Sequence, residues 1–451
     1  MQSKTLQTVT EESVLVVSLF KWIILASIIG AVVGSATSFF LFLLDLSISK
    51  VSAFNYFYFG LPFILALCVF VSSRLSPDSQ GHGTEKVIRA VHRFKSNVRL
   101  RIVPVKLVTT ILTISFGGSV GKEGPCAQIG AALSSGLAKL FKFSVEDRKK
   151  LVICGISAGF ASVFGSPIAA AIFGVEVLFM GNLLYSVLLP SFISGMVSFQ
   201  ISHFFGVEYH YSFLEVSSSF DLKLFLYTVL AGIFFGLICV LLIEIMNLSE
   251  NVFKKITMIP EVKAFIGGLL IVLFSYFFTT QYLGLGLDTI AQTLAGVSIV
   301  WYAFLIKIIL TCMTLSFGGS GGVLTPIFFI GATAGASFAQ VFGLNSSLFA
   351  SFGMVSLIGG AANTPVAACV LAIELFGSSI APYAALAIVI SFFMTGYRSI
   401  FPSQVLSAQK TQSVIFKKRE EVESFETHFD YKTRRILASG RSIAKKFIKI
   451  K

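Results

Sequence analysis

Residues 106–125 read KLVTTILTISFGGSVGKEGP and residues 307–326 read KIILTCMTLSFGGSGGVLTP. Lys106 and Lys307, Thr110 and Thr311, Thr113 and Thr314, the SFGGS runs at 115–119 and 316–320, Gly121 and Gly322, and Pro125 and Pro326 stay in register without a gap. A second pairing follows, PIAA at 167–170 with Glu176 against PVAA at 365–368 with Glu374. A chain that repeats itself this way is two halves on one plan, about 14–205 and 221–405.

The solvent for those halves is lipid. Charged residues make up 13% of the 451, apolar ones 55%, and mean hydropathy is +0.85, whereas soluble domains carry roughly 25% charge. A soluble enzyme, a disordered scaffold and a nucleic-acid-binding domain are excluded. Apolar runs fall at about 14–46, 53–73, 102–116, 126–140, 150–164, 167–205, 221–247, 263–283, 299–315, 323–342, 347–361, 365–376 and 379–395. Several are shorter than the ~20 residues that span a bilayer, and many start or stop at Gly, Pro or Ser. Such segments are tilted, re-entrant or broken, which is tolerated only where protein or a water-filled cavity satisfies the backbone. The expected fold is therefore all-α, a polytopic membrane protein of tilted and broken helices in two inverted repeats, with a path for a polar solute where the broken helices meet.

The run from Val14 to Leu46 is too long for a signal-peptide core, so residues 1–13 are expected to be a cytosolic segment. The net charge of +13 follows topology rather than a polyanion partner. From Lys410 onward twelve basic and five acidic residues supply +7 of it, so 408–451 is expected to be a basic cytosolic tail, lying against anionic headgroups or partly disordered. The stretch 86–101, with six basic residues and no acid, is a second cytosolic candidate. Six scattered cysteines without a CxxC pair give neither a zinc site nor a disulfide framework. Five histidines form no HExxH or acid-paired pattern, so neither an enzyme nor a bound metal or cofactor is expected.

In GKEGP, Glu123 and Pro125 read as a helix start, because proline in a first turn loses no hydrogen bond. Free N–H groups there, with the positive end of the helix dipole, attract an anion, and GVLTP at 322–326 builds the same feature again. Two such ends replace an anion's water without a full positive charge to trap it. Glu123 competes for those N–H groups. A carboxylate inside a membrane costs about 2.5–3.5 kcal/mol on insertion scales, so it is either a gate that leaves on protonation or a cap of its own helix. The other copy has Leu324 there, so the shared architecture needs no carboxylate. GGSVGK is no phosphate loop: its spacing is one residue short and Glu123 replaces the magnesium-binding hydroxyl.

GKEGP at 121–125 and GVLTP at 322–326 inside a two-fold repeat, with RIVPVK before the first and GSPIAAAIFGVE after it, resemble the CLC family of chloride channels and proton-coupled chloride transporters over about 15–409. The resemblance implies a membrane domain of two inverted halves, a homodimer with a pore in each subunit, and chloride, other monovalent anions and protons as what it handles. It also implies a bacterial inner-membrane location, without the paired soluble regulatory domains that follow the membrane part in many relatives. It makes Glu123 the gating and proton-transferring glutamate. The anion-binding positions it implies are Gly121, Lys122 and Gly124 in the first motif and Gly322, Val323 and Leu324, with their backbone amides, in the second.

This sequence departs from the family pattern in three places. GHGTE at 81–85 puts His82 where a serine hydroxyl usually meets the anion; either His82 donates to the anion and gains charge at low pH, or it caps the next helix while Gly83 or Thr84 amides serve. SIFPSQ at 399–404 puts Phe401 at the central tyrosine's position, removing a hydroxyl and keeping a ring. Val177 stands at the usual internal proton relay with Glu176 one residue before it; Glu176 is a possible relay or, since Glu374 repeats it, a structural group. Voltage- or pH-gated channel and proton antiporter both stay open. Chloride is the default cargo, and a fluoride-specific reading ranks lower because the fluoride branch usually alters the Pro125-type and GVLTP-type positions that are kept here. A sodium-coupled solute transporter is the competing class.

Overall fold

The computed structural model describes residues 2–209, 212–214, 216, 221–415, 420–425 and 428–429. Met1 and, of the expected tail, residues 416–419, 426–427 and 430–451 lie outside them.

The first half contains α1 (Gln2–Val51), α2 (Leu61–Leu75), α3 (Gly83–Arg93), α4 (Ile102–Ser115), α5 (Glu123–Leu140), α6 (Val145–Phe164), α7 (Pro167–Glu176) and α8 (Tyr185–Phe204). The second contains α9 (Leu222–Lys255), α10 (Pro260–Phe277), α11 (Leu287–Leu294), α12 (Ala303–Ser316), α13 (Leu324–Phe342), α14 (Ser346–Ala361), α15 (Pro365–Phe376) and α16 (Ala381–Thr395). Helices in equivalent places pack alike. α5 lies on α6 and α13 on α14, α1 on α8 and α9 on α16, and across the halves α2 meets α10 and α7 meets α15.

Local chemistry sets the ends. Ser144 accepts the Asp147 N–H to start α6, and Asn345 accepts the Leu348 N–H to start α14 at the matching position. Gly165 and Gly343, both at positive φ, stop α6 and α13. Among the described residues seven helical segments are long and apolar enough to cross a bilayer, and five apolar ones are shorter. In the spanning helix α13 the most apolar stretch is 89% buried inside the protein, so other helices shield it from lipid. Phe20, Ile24, Phe39, Phe42 and Phe63, by contrast, face outward, as lipid-facing side chains do.

Two expectations about segments are corrected. The apolar run 167–205 is not continuous: it divides into α7 and α8 around a short strand β1 (Phe179–Met180) and a turn at Gly181, φ +82. Its strand pairs in parallel with β2 (Val405–Leu406); hydropathy cannot register this break because apolar residues continue on both sides of Gly181 and Asn182. The beginning of the tail does not lie free against headgroups. Lys410 turns inward, its amine donating to Asn363 Oδ1 (2.8 Å) and the Phe392 carbonyl (2.6 Å), β3 (Val414–Ile415) pairs with β4 (His428–Phe429), and Glu421 pairs with Arg93 of α3.

Hydrogen bonds between the halves come in reciprocal sets. Gly121 and Gly322 exchange N–H to carbonyl bonds of 2.7 Å each way. The Ser119 N–H reaches Thr314 Oγ1 and the Ser320 N–H reaches Thr113 Oγ1, both at 3.2 Å. Glu176 accepts the N–H groups of Val366 (3.1 Å) and Ala367 (2.8 Å), while Glu374 accepts those of Ile168 (3.1 Å) and Ala169 (2.8 Å). Each carboxylate thus closes the first turn of the other half's helix, α15 or α7, where four N–H groups lack intrahelical partners. Lys106 and Lys307, fully buried, do likewise within their own halves: one amine holds the carbonyls of Ser79 and Gly81, the other those of Tyr282 and Gly284.

Glu176→Ala and Glu374→Ala each leave two helix-terminal amides without their partner, one of them in a buried residue, Ala367 or Ala169, at a cost of about 1–3 kcal/mol. Thermal unfolding in detergent is expected to show similar losses for the two, and unchanged melting in both sinks the reciprocal-cap reading.

Candidate anion site

Four chain segments converge around the Gly121–Gly322 exchange. The loop before α3 bridges the second motif through His82 and Gly321, and Gly83 is pressed against α5: a Cβ there would stand 2.4 Å from the Gly124 carbonyl. Gly124 in turn abuts Gly322, whose Cα would lie 2.8 Å from an added Cβ. Only glycine permits that approach. The starts of α5 and α13 are held together across the axis, as the sequence predicts for two facing helix N-termini.

Glu123 opens α5 but does not cap it; the side chain of Lys122, the partly exposed N-cap residue, makes no cap bond either. The Glu123 carboxylate crosses to the other half. It accepts the Thr325 N–H (3.1 Å) at Oε2 and the Thr325 hydroxyl at 2.6 Å from both oxygens, and the residue is 3% exposed. The reading in which Glu123 caps its own helix is therefore corrected. The carboxyl group lies on the first turn of α13, beside Val323 at its N-cap and Leu324 at its first position, both buried.

His82 is the N-cap residue of α3, yet its side chain makes no cap bond, which corrects the capping alternative. Its Nδ1 is buried without a hydrogen-bond partner among the described residues, and its ring lies 5.8 Å from that of Phe401, centroid to centroid. Burial, with Lys106, Lys86 and Arg89 nearby, holds the imidazole well below its ordinary range. Both the burial and these cations oppose the gain of charge at low pH expected of it.

Phe401 is fully buried on a loop with many anchors. Its N–H donates to Ser399 Oγ (3.0 Å), which donates to Gln404 Oε1 (2.6 Å). The Gln404 amide donates to the carbonyls of Val177 (2.8 Å) and Ala362 (2.7 Å). Val177 therefore serves the loop through its backbone. Glu176, beside it, has both oxygens on the amides of α15.

The structure brings together Glu123, His82, Gly83, Gly121, Gly124, Gly322, Val323, Leu324 and Phe401, and sets Glu176 apart at the end of α7 with its carboxylate on the amides of α15. Sequence reasoning missed Thr325. Its signal was present in the repeat, where Glu123 matches Leu324 and Gly124 matches Thr325: one copy carries the acid and the other the donor.

The family described as voltage gated chloride channel matches residues 63–396. A chloride/fluoride channel protein of Pseudomonas syringae pv. tomato is 35% identical over 398 residues, 86% of this chain and 87% of that one. A voltage-gated ClC-type chloride channel of Escherichia coli is 28% identical over 287 residues, 60% of this chain and 67% of that one. Among solved structures, a CLC-type fluoride/proton antiporter superimposes with a TM-score of 0.82 at 29% identity, covering 86% of this chain and 98% of that one. A slow cyanobacterial chloride/proton antiporter gives 0.71 at 18% identity, covering 83% and 94%, which bears on the fold alone.

An added methyl at Gly121 would stand 2.6 Å from Glu123 Oε2. Gly121→Ala is expected to cost about 1–3 kcal/mol by overpacking, and less in a Glu123→Ala background, with a coupling of about 0.5–3 kcal/mol. Strictly additive losses in thermal unfolding would mean that the carboxylate does not occupy this seat.

Proposed function

The chain belongs to the voltage gated chloride channel family, and on that premise we propose that it is a multi-pass membrane protein exchanging a halide for protons, with Glu123 as gate and proton carrier. Anion transport is the family's activity, and no feature favours the sodium-coupled alternative or an enzyme. The observation that carries the mechanism is the Glu123 carboxylate seated on the Thr325 N–H and hydroxyl.

In that seat the carboxylate occupies donors that a halide would use. Protonation of Glu123 removes its charge, weakens its hold on the α13 N-terminus and lets the side chain leave; an anion then takes the vacated N–H groups and hydroxyl. Return of the carboxylate, after its proton is lost to the other side, displaces the anion. One group thereby competes with the anion and carries the proton, which couples the two flows. Gly121, Lys122 and Gly124, with Gly322, Val323 and Leu324, supply the backbone around the seat. His82 and Phe401 wall it on the α3 side, neither offering the serine or tyrosine hydroxyl of the usual pattern. The Thr325 hydroxyl compensates as a strong donor.

Fluoride is the cargo that best fits these features, with chloride as the competing outcome. Two relatives support it: the Pseudomonas protein, named for chloride and fluoride, and the fluoride/proton antiporter, which aligns over 98% of its length. The retained Pro125 and GVLTP positions therefore weigh less than they did on sequence alone. A homodimer in a bacterial inner membrane, with the tail-bearing face in the cytosol, completes the reading; it is supported by the family and by the basic residues of 86–101 and the tail.

Vesicles containing the purified protein and a fluoride or chloride gradient test this reading. Outward fluoride flow is expected to draw protons uphill, read by a pH dye beside an ion-selective electrode. Glu123→Gln is expected to abolish proton movement and flatten the pH profile of anion flux. Fast anion efflux without protons in the unaltered protein would make it a channel, and uphill coupling to chloride alone would remove fluoride.

A further inference from the structure

Three acids are buried among the described residues: Glu85, Glu123 and Glu176. Glu123 lies on Thr325, and Glu176 is fixed on two amides of α15. The family's usual relay position holds Val177, so the inner leg of the proton path lacks an acid where one is expected. Glu85 remains. It lies three residues after His82 on α3, in the stretch that otherwise reads as a basic amphipathic helix.

Its surroundings join the anion site to the surface. One Glu85 oxygen accepts the Ser403 N–H (3.2 Å) and the other the Ser403 hydroxyl, and Ser403 is two residues from Phe401. Arg89, one turn along α3, approaches within 3.5 Å of Glu85 and 3.6 Å of Glu423. The Glu423 side chain is half exposed, and Arg93 pairs with Glu421 and Glu423 on the same face. Toward the pore, α3 packs on α5. There the Thr84 hydroxyl would be 3.5 Å from a Cβ placed on Gly124, next to Glu123, and His82 Nδ1 has no partner among the described residues.

We infer that Glu85 is the inner proton carrier, passing protons between the solution at the tail-bearing face and Glu123 in the role that Val177 leaves vacant. A hydronium ion at the Arg89–Glu423 cluster gives up one O–H bond and leaves water, and its proton forms an O–H bond on the Glu85 carboxylate. It is then lost to solvent within the site, past Thr84 and His82, and ends as the O–H of Glu123 when that carboxylate quits Thr325. No oxidant or reductant is involved, and Glu85 returns to its ionised form. The charged groups around it suit this exchange: Arg89 on its own helix favours the carboxylate, and Glu423 opposes it. Burial raises the Glu85 carboxyl to about 7, against the hydrogen bonds from Ser403 and the pull of Arg89, so it gains and loses protons near neutrality.

This inference rests on the proton-coupled reading above, and its test separates the two. With the full chain in vesicles under a fluoride gradient, Glu85→Gln is expected to lower anion-driven proton movement at least tenfold while anion flux stays within about threefold. Ser403→Ala keeps the carboxylate but removes a bond that favours its ionised form, so the pH midpoint of proton movement is expected to move upward. Should Glu85→Gln fail to assemble, that midpoint decides, and an unmoved midpoint overturns the assignment. A Glu85→Gln protein with the original proton-to-anion ratio, or with both flows reduced equally, overturns the relay and leaves the coupled reading standing. Anion flow without protons in the unaltered protein overturns both.

Discussion

The pair of 2.7 Å backbone bonds between Gly121 and Gly322 is the constraint on which the rest of the site depends. Two equivalent residues that exchange N–H to carbonyl bonds with one another must be related by a local two-fold axis. Whatever one half places beside that axis, the other half places there too. The starts of α5 and α13 are therefore brought face to face, and their free N–H groups share a single small space. The glycines are a steric consequence: side chains at 121, 124 or 322 would run into backbone or the Glu123–Thr325 pair within 3 Å. The flanking Ser119–Thr314 and Ser320–Thr113 bonds tie down the backbone just before each helix. Without that support two positive helix ends would be held together against their own repulsion.

Function enters where the symmetry fails. The frame is two-fold, but one copy has Glu123 and Gly124 where the other has Leu324 and Thr325. An acid on one side meets a hydroxyl and an N–H on the other, and the glycine leaves room for the crossing. The membrane cost of an acid is thus offset by hydrogen bonds from the Thr325 N–H and hydroxyl, which leave its oxygens satisfied. In the proposed mechanism these same donors serve the anion, so the bonds that tolerate Glu123 also make it a competitor. A lysine at this point would hold an anion more tightly and release it more slowly. Lys106 and Lys307 instead have their amines on backbone carbonyls, where they brace the loops before α3 and α11.

Much of this was legible in the sequence, and the limits have physical causes. The repeat and its proline-marked helix starts follow from local chemistry, so the two halves, the all-helical class and the facing N-termini could be read directly. Thr325 could not be singled out by hydropathy, since a buried threonine in an apolar run is unremarkable by composition. Its role arises only from a partner 202 residues away. The break between α7 and α8 was hidden because apolar residues continue through a strand that is buried by pairing with β2. Glu85 was masked by its neighbours: among six basic residues it reads as one more solvated charge, and only the return of the chain at Ser403 removes it from water.

That return links the tail to the pore. After α16 the chain passes through Phe401, pairs β2 with β1, and comes back at Glu421 to lie on α3. Both aromatic walls of the site, the His82 ring at the start of α3 and Phe401, are consequently anchored by one set of contacts. Gln404 holds the Phe401 loop to α7 and α14 through Val177 and Ala362, and Ser403 holds it to Glu85. A change of charge at Glu85 acts on a backbone N–H two residues from Phe401 as well as on the helix that carries His82. Glu85 and Ser403 thus tie the start of α3 to the Phe401 loop, while of the other two acids buried among the described residues Glu123 lies on Thr325 and Glu176 on the amides of α15.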